Sequence, residues 1–368
     1  MKTIRRFLYS EVLLAVAFVT LGFLALFFFF DFVDELRWVG RSGPNGYQMS
    51  QALAFVSLSM PSHLYELLPI TVLIGTIFVM ARLAQSSEYT ILRTSGLGPG
   101  RALQTLLSLG LVFAVLTFAV GDYAAPVSER AAQLVKARYQ GTFTTGQTGA
   151  WLREKQDATS YAANVQALSS EGVMKGIRIF EFDRRGHLSA LTQAETARFG
   201  PGDAWTLSNV KRSDYLTQNV DRARVERATS DTSTWQTHIS TEMVAAALLK
   251  PDKMRTLDLF QYIRHLNANG QSAQRYEIEF WRKVFYPLSC LVMVVLALPF
   301  AYLHFRTGGI AAYVFGGVMA GISFFLLNNV FGYIGNLQNW MPWLTAAAPG
   351  MIYSVLSLAA FGWLVLRR

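Results

Sequence analysis

Residues 12–32 read VLLAVAFVTLGFLALFFFFDF, and this stretch decides what kind of fold the chain adopts. Its one charged residue, Asp31, stands near the end of the run. An α-helix rises about 1.5 Å per residue, so about 20 apolar residues cross the roughly 30 Å of hydrocarbon in a membrane. The stretch is therefore predicted to be a membrane-spanning helix.

Further stretches along the chain have the same length and apolar character. With the first, Val12–Phe32, they make six: Leu64–Leu83, Ala102–Val120, Val284–Leu303, Ile310–Ile334 and Leu344–Leu366. Of the 368 residues, 52% are apolar and 15% are charged, whereas about 25% are charged in an ordinary soluble domain. We therefore predict an α-helical membrane protein with six transmembrane helices.

Positive charge in the short loops predicts the orientation of these helices. Nine lysines and arginines lie on the side of the two termini: Lys2, Arg5, Arg6, Arg82, Arg93, Arg101, Arg306, Arg367 and Arg368. Short loops on the other side carry Arg37 and Arg41. Both termini are therefore predicted to be cytoplasmic.

The polar insert between the third and fourth predicted helices must fold in water on the opposite side. Apolar and polar residues alternate in Ser160–Ala167, Ile177–Asp183, Ala204–Val210 and Ala223–Arg227. A period of two is typical of β-strands with one buried face, and several short strands predict a sandwich or a jelly-roll-like all-β domain. One sheet face is expected to bury Ile177, Ile179, Leu188, Leu191, Trp205 and Leu207.

These patterns divide the chain into four parts. Residues 1–121 hold helices one to three, with a short helix near 86–96, and residues 122–255 form the β domain. Residues 256–283 form a helical connector that stops at Asn269-Gly270, and residues 284–368 hold helices four to six.

The sequence lacks the motifs of an ATPase, a nucleophilic enzyme or a metalloprotein. It contains neither GxxxxGK[ST] nor GxSxG, and Cys290 is its single cysteine. Five scattered histidines have no metal-ligand spacing, and no basic stripe points to nucleic acid. We therefore expect no catalytic residue, metal or cofactor in this chain.

The predicted cytoplasmic loop 84–101 contains a short helix. Ser86 or Ser87 can cap it, Glu88 suits its first turn, and Gly96 stops it, while Ile91 and Leu92 form an apolar patch. Two interpretations stay open at this point. The helix is either an ordinary interfacial helix or a docking helix for a cytoplasmic partner.

Charged and aromatic residues follow the first predicted helix on the other side of the membrane. If the helix continues, Asp34, Arg37, Trp38 and Arg41 share one face at the height of the lipid headgroups. Such a face could hold a phosphorylated lipid, or it could be an interface anchor. In the fifth helix Gly317 and Gly321 form a GxxxG motif, which allows close helix approach.

Taken together, these features resemble the lipopolysaccharide export permease family (LptF/LptG), more closely its G-type members. The similarity extends over essentially the whole chain. It is carried by Phe32-Val33-Asp34-Glu35-Leu36, the loop from Leu83 to Gly96, Phe182-Asp183, Gly186-His187-Leu188, Ala194-Glu195-Thr196-Ala197, Phe280-Trp281-Arg282-Lys283, Pro287-Leu288 and Leu296-Ala297-Leu298-Pro299-Phe300.

The resemblance implies a permease subunit of an ABC-type exporter that extracts lipopolysaccharide from the periplasmic leaflet of a Gram-negative inner membrane. It implies an F-type paralogue, two copies of a cytoplasmic ATPase that bind ATP and Mg²⁺, and a single-span bridge protein with a periplasmic β domain. A membrane-anchored scaffold or sensor in an envelope assembly is the alternative. A secondary transporter is disfavoured, because Asp31, Glu66 and Glu88 lie at the edges of the predicted helices rather than at mid-membrane.

The same resemblance implies roles for particular residues. The ATPase-coupling helix would include Glu88, Ile91, Leu92, Arg93 and Gly96. The substrate would contact Asp34, Arg37, Arg41, Phe27 and Phe30. Helices one and five would form lateral gates, in which Gly317, Gly321 and Phe324 pack. One departure bears on the headgroup contacts, because some relatives have a basic residue where this chain has Asp31.

Overall fold

Six long helices and an antiparallel sheet form the described parts of the protein in a computed structural model. These parts are residues 2–40, 47–140, 149–156, 159–169, 172–200, 204–217, 223–241, 243–244, 251–302 and 310–366. The chain divides into two units. One comprises Met1–Glu35, Val56–Glu129 and Glu277–Arg368, and the other comprises Leu36–Phe55 and Arg130–Tyr276.

The six predicted transmembrane helices are confirmed. Span one is the helix Lys2–Leu36, span two is Met49–Gln85, span three begins with Pro99–Ala119, span four consists of Gln274–Phe285 and Ser289–Ala297, span five is Ile310–Leu337 and span six is Pro342–Leu366. Short 3-10 turns around Pro287 and Pro299 interrupt and end span four, because proline lacks the N–H that continues an α-helix.

Span three runs far beyond its apolar stretch. After Ala119 it passes through a π-helical turn, Val120–Ala124, and continues as the helix Ala125–Gln140. This last segment is rich in Ala, Glu, Arg, Gln and Lys, which are strong helix formers. The first described strand therefore begins at Ala150, well after the boundary at residue 122 that hydropathy suggested.

The first unit has an apolar core to which spans one to four contribute. Its members include Leu8, Val12 and Val16 of span one, Val72, Val79 and Leu83 of span two, Leu106, Leu109 and Phe113 of span three, and Cys290, Val294 and Leu298. Gly75 lets the backbones of spans one and two approach closely, since a Cβ there would lie 2.8 Å from the Cα of Val16.

The second unit contains a six-stranded antiparallel sheet. Its strands are β1 (Ala150–Lys155), β2 (Ser160–Leu168), β3 (Val173–Phe182), β4 (Leu188–Gly200), β5 (Ala204–Thr217) and β6 (Ala223–Gln236). They lie in sequence order, and each pairs with the next. The all-β insert is thus confirmed, and its described strands form one up-and-down antiparallel sheet.

Tight turns explain why neighbouring strands pair in order. Between β3 and β4 the Asp183 Oδ1 accepts hydrogen bonds from the backbone N–H groups of Arg185 (2.8 Å) and His187 (2.9 Å), and Gly186 adopts a φ of 81°. The His187 N–H is the main cause of the lowered pKa of Asp183. This hairpin turn is the one that Arg185-Gly186 predicted.

One face of the sheet is apolar, as expected. Ile177, Ile179 and Leu207 are buried, and Trp205 is fully buried with its Nε1–H donated to the Ile239 carbonyl at 2.7 Å. The expectation was wrong for Leu191, which pairs with Phe180 and lies on the opposite face. Its strand alternates, and the buried positions on either side are Ala190 and Thr192. Leu188 is half-buried.

The connector helix is Thr256–Ala268, directly before Asn269 and Gly270, which predicted its end. Leu259, Tyr262 and Leu266 form its buried side. A second helix begins at Gln274 and leads into span four, so the amphipathic segment before Val284 is the beginning of span four.

Candidate functional site

Span one ends at Leu36, before the residues predicted to extend its charged face. Residues 37–40 form a turn, in which Gly40 has a φ of 81° and donates its N–H to the Tyr47 carbonyl at 3.0 Å. The condition for one helical face from Asp34 to Arg41 is therefore not met, because the helix ends at Leu36 and residues 37–40 form a turn. Arg41 lies outside the described residues.

The remaining residues of this segment are accessible. Asp34 is exposed on the last turn of the helix, and Arg37 and Trp38 are exposed in the turn that follows. Lys136, which sequence reasoning missed, places its Nζ 5.8 Å from the ring centre of Trp38 and 4.5 Å from that of Phe55. A cation over aromatic rings is stabilising, so Lys136 helps to hold Trp38 and Phe55 in place.

The two phenylalanines proposed as acyl-chain contacts face different surroundings. Phe30 is 57% exposed, whereas Phe27 is half-buried with its ring centre 4.9 Å from that of His63. One helical turn beyond Phe27, the Asp31 carboxylate lies 2.6 Å from His63 Nε2. Phe30 therefore lies on the open surface of span one, and Phe27 belongs to a contact between spans one and two.

Spans one and two are joined by polar contacts at three levels. At the end nearest the N-terminus Arg82 forms an ion pair with Glu11. In the middle the Thr20 hydroxyl donates to Thr71 Oγ1 at 2.9 Å, and both residues are buried. At the far end lies the pair of Asp31 with His63. We define these contacts, together with Gly75, as the one–two seam.

The predicted loop helix exists and covers Glu88–Thr94. Neither serine caps it in the expected way, because Ser87 has a φ of 61° and no capping bond, and the Ser86 hydroxyl bonds to the Arg82 carbonyl at 3.1 Å. The stop at Gly96 is confirmed by its φ of 102° and by the hydrogen bond from Leu97 N–H to the Leu92 carbonyl at 3.0 Å.

The loop helix has an exposed side and an anchored side. Glu88, Ile91 and Arg93 are exposed. Leu92 is partly buried against the core of the first unit, so the expected patch of Ile91 and Leu92 is divided between the two sides. Tyr89, not singled out from the sequence, is buried and packs edge-on against Tyr302 with ring centres 5.2 Å apart.

The small residues of span five pack against this chain itself. A Cβ on Gly317 would lie 2.7 Å from Ile77, and one on Gly321 would lie 2.7 Å from Ile70, both in span two. Phe324 is buried and stacks edge-on against Tyr353 of span six, with ring centres 5.1 Å apart. These residues hold span five in place, and its exposed residues include Phe315, Met319, Ile322 and Leu326.

Span four carries two cations that sequence reasoning did not interpret. Arg282 donates from Nη1 to Glu279 at 2.8 Å and from Nη2 to the Asn328 carbonyl of span five at 3.1 Å. Lys283 is buried and donates to the Gly121 carbonyl, within the π-helical turn of span three, at 3.0 Å. Adjacent residues thus tie span four to spans three and five.

Comparison with known proteins gives a consistent result. The family model described as "Lipopolysaccharide export system permease LptF/LptG" matches residues 6–366. The permease protein LptG of Escherichia coli K12 is 27% identical over 340 residues, covering 92% of this chain and 90% of the relative. LptG of Haemophilus influenzae is 25% identical over 369 residues, covering 100% and 99%.

Proposed function

The chain belongs to the LptF/LptG family of lipopolysaccharide export permeases, and we propose that it is the G-type permease subunit, which takes lipopolysaccharide from the periplasmic leaflet. The observation that carries this proposal is the family match over residues 6–366, which includes all six spans and the inserted sheet. The chain is a multi-pass inner-membrane protein and a transport subunit.

The charge distribution supports an orientation with cytoplasmic termini and a periplasmic sheet domain. Nine lysines and arginines lie on the side of the termini, and the short loops on the other side carry Arg37 and Arg41. Short cytoplasmic loops of membrane proteins carry such an excess of positive charge. In this orientation the loop helix faces the cytoplasm, and the end of span one faces the periplasmic headgroups.

The surface of span one supports a path for acyl chains. Phe18, Leu21, Phe29 and Phe30 are exposed apolar residues of this helix. Such a surface is stable only against lipid tails or an apolar protein surface. We propose that this surface of span one borders the cavity that holds the lipid, and that the F-type paralogue forms the opposite wall of the cavity. The exposed residues of span five would form the second lateral gate.

Energy must come from another chain, because this sequence has no phosphate-binding loop. We propose that two copies of a cytoplasmic ATPase bind ATP and Mg²⁺ and dock on the loop helices of this chain and of its paralogue. A single-span bridge protein would receive the lipid at the periplasmic side. The exposed Glu88, Ile91 and Arg93 would contact the ATPase.

Reversing the charge of Glu88 should weaken this docking. In Glu88→Lys, a cation replaces a carboxylate that would meet a basic residue of the ATPase, at a cost of about 2 to 5 kcal/mol if that pair is buried in the complex. Because Glu88 is exposed, the fold should be unchanged. Co-purification of the ATPase measures the effect. Glu226→Lys, an exposed reversal in β6, should retain the ATPase, and equal retention by both variants would refute the docking role.

Reversing the charge of Arg37 should weaken lipid binding. A guanidinium forms charge-assisted, often bidentate hydrogen bonds with phosphate, whereas lysine offers a point charge. We expect Arg37→Glu to reduce photo-crosslinking of lipopolysaccharide about tenfold and Arg37→Lys to reduce it less. Arg227→Glu, on exposed β6, is the control. Wild-type crosslinking by Arg37→Glu would leave this arginine as a topological anchor.

Isolation of the chain from its native membrane in mild detergent tests the proposed function against the scaffold alternative. A homologous six-span protein and an ATPase with a phosphate-binding loop should co-purify in defined ratio. Their absence, with the sheet domain bound to other envelope proteins, would favour the scaffold.

A further inference from the structure

A line of irregularities crosses the sheet from β2 to β6. Pairing of β2 with β3 steps from Val165–Ile177 to Ala167–Lys175, past Gln166 and Gly176, and Gly176 has a φ of 62°. Pairing of β4 with β5 likewise steps from Gln193–Lys211 to Thr196–Ser208, and Asn209 between them has a φ of 55°. Neither interruption shifts the strand register, and the unpaired positions Gln166, Gly176 and Asn209 line a groove of about 760 Å³.

The groove is lined by charged and amide side chains on the face opposite the apolar core. Two cations, Arg178 and Lys211, are balanced by two carboxylates, Glu195 and Asp231. Asn209 Nδ2 donates to Glu195 at 2.7 Å, which fixes both side chains. The mixture of donors and acceptors fits a molecule with many hydroxyl groups.

An aromatic pair stands at the end of the same face. Trp151 of β1 and Phe180 of β3 stack with ring centres 5.6 Å apart and an interplanar angle of 26°, and Trp151 is 53% exposed. Trp151 pairs with Asn164 of β2, and Asn164 pairs with Arg178 of β3. Trp151 therefore lies in the same cross-strand row as Arg178, which lines the groove. A flat exposed ring beside hydrogen-bonding groups suits sugars, which present C–H faces and hydroxyl edges.

We propose that this groove binds the saccharide part of lipopolysaccharide. The inference rests on the proposed export function and deepens it, since it adds a contact to the sugars of the substrate in the sheet domain. The sugars extend from the headgroup into water, where the sheet domain lies in the proposed orientation. The lipid end would be held elsewhere, at span one.

The test uses the oligosaccharide released from lipopolysaccharide by mild acid, which lacks the acyl chains. Its binding to the full chain in its complex is measured by saturation-transfer NMR. Arg178→Met combined with Gln193→Leu removes hydrogen-bonding groups from the groove and should weaken binding about tenfold, and Trp151→Ala should act in the same direction. Arg198→Met with Thr234→Val alters exposed residues outside the groove and should bind as the wild type does.

Several outcomes would overturn the inference. One is that the oligosaccharide does not bind to the wild type. Another is that the groove variant pair and the control variant pair bind the oligosaccharide equally well. A third is that the wild type binds a peptidoglycan glycan fragment as well as it binds the oligosaccharide. A second experiment measures the release of full-length and of sugar-truncated lipopolysaccharide by the wild type and the variants. It distinguishes failure of the groove proposal from failure of the proposed export function. If export is right and the groove is wrong, all variants release both lipids at wild-type rates. If export is wrong, the wild type releases neither.

Discussion

A leucine in place of Gly75 should force spans one and two apart. The Cβ of the new side chain would lie 2.8 Å from the Cα and N of Val16, and backbone atoms cannot move aside as a side chain end can. Overpacking of this kind costs about 3 kcal/mol or more. We expect Gly75→Leu to lower the melting temperature in detergent by at least about 5 °C and to reduce the accumulated protein.

The matched control is Gly22→Leu in span one. A Cβ at Gly22 meets no atom within 4 Å, so this variant adds the same apolar group where the described residues leave room for it. It should melt as the wild type does. Equal melting temperatures for the two variants would show that the close approach at Gly75 does not hold the one–two seam together.

Loss of the Lys283 ammonium should destabilise the junction of spans three and four. A π-helical turn disturbs the regular hydrogen bonding of the helix, and the Gly121 carbonyl within it accepts a bond from Lys283 Nζ at 3.0 Å. In Lys283→Met this buried carbonyl loses its ammonium donor, at a cost of about 2 kcal/mol. The expected result is a melting temperature lower by several degrees, measured in detergent.

Lys175→Met provides the comparison for Lys283→Met. Lys175 is an exposed residue near the start of β3, and the chemical change is the same. Its melting temperature should stay within about 1 °C of the wild-type value, since exposed substitutions rarely change stability by more than about 0.5 kcal/mol. A Lys283→Met protein as stable as this control would refute the structural role of the buried ammonium.

Sequence reasoning predicted the membrane helices well because the hydrocarbon thickness sets a length that a single sequence displays. The ends of these helices follow from other causes. Span one stops at Leu36 because the chain turns at Gly40, and span three continues to Gln140 because polar residues can also be good helix formers. Neither event leaves a signal in hydropathy.

The strands were predicted where apolar and polar residues alternate, as in β3. Their order in the sheet depends on the connections between them, and the short Asp183–His187 turn favours pairing of neighbours over a crossover. Leu191 was assigned to the wrong face because its apolar character was weighed more than its position between Ala190 and Thr192.

The candidate site was predicted in part. Glu88 lies on the predicted loop helix and Phe30 on span one, whereas Arg37 lies in the turn that follows span one. The contacts of His63, Lys136 and Lys283 were missed because each residue contacts residues far away in the chain. No local sequence pattern around a single histidine or lysine predicts such a contact. Tertiary packing decides these contacts.

Reconstitution of lipid release tests the central claim most directly. Liposomes that contain lipopolysaccharide, this chain, its six-span paralogue and the ATPase are mixed with a soluble periplasmic acceptor, and the transferred lipid is measured. We predict that release depends on ATP and falls to the background level when this chain is left out. ATP-dependent release at the same rate without this chain would contradict its assignment as a permease subunit.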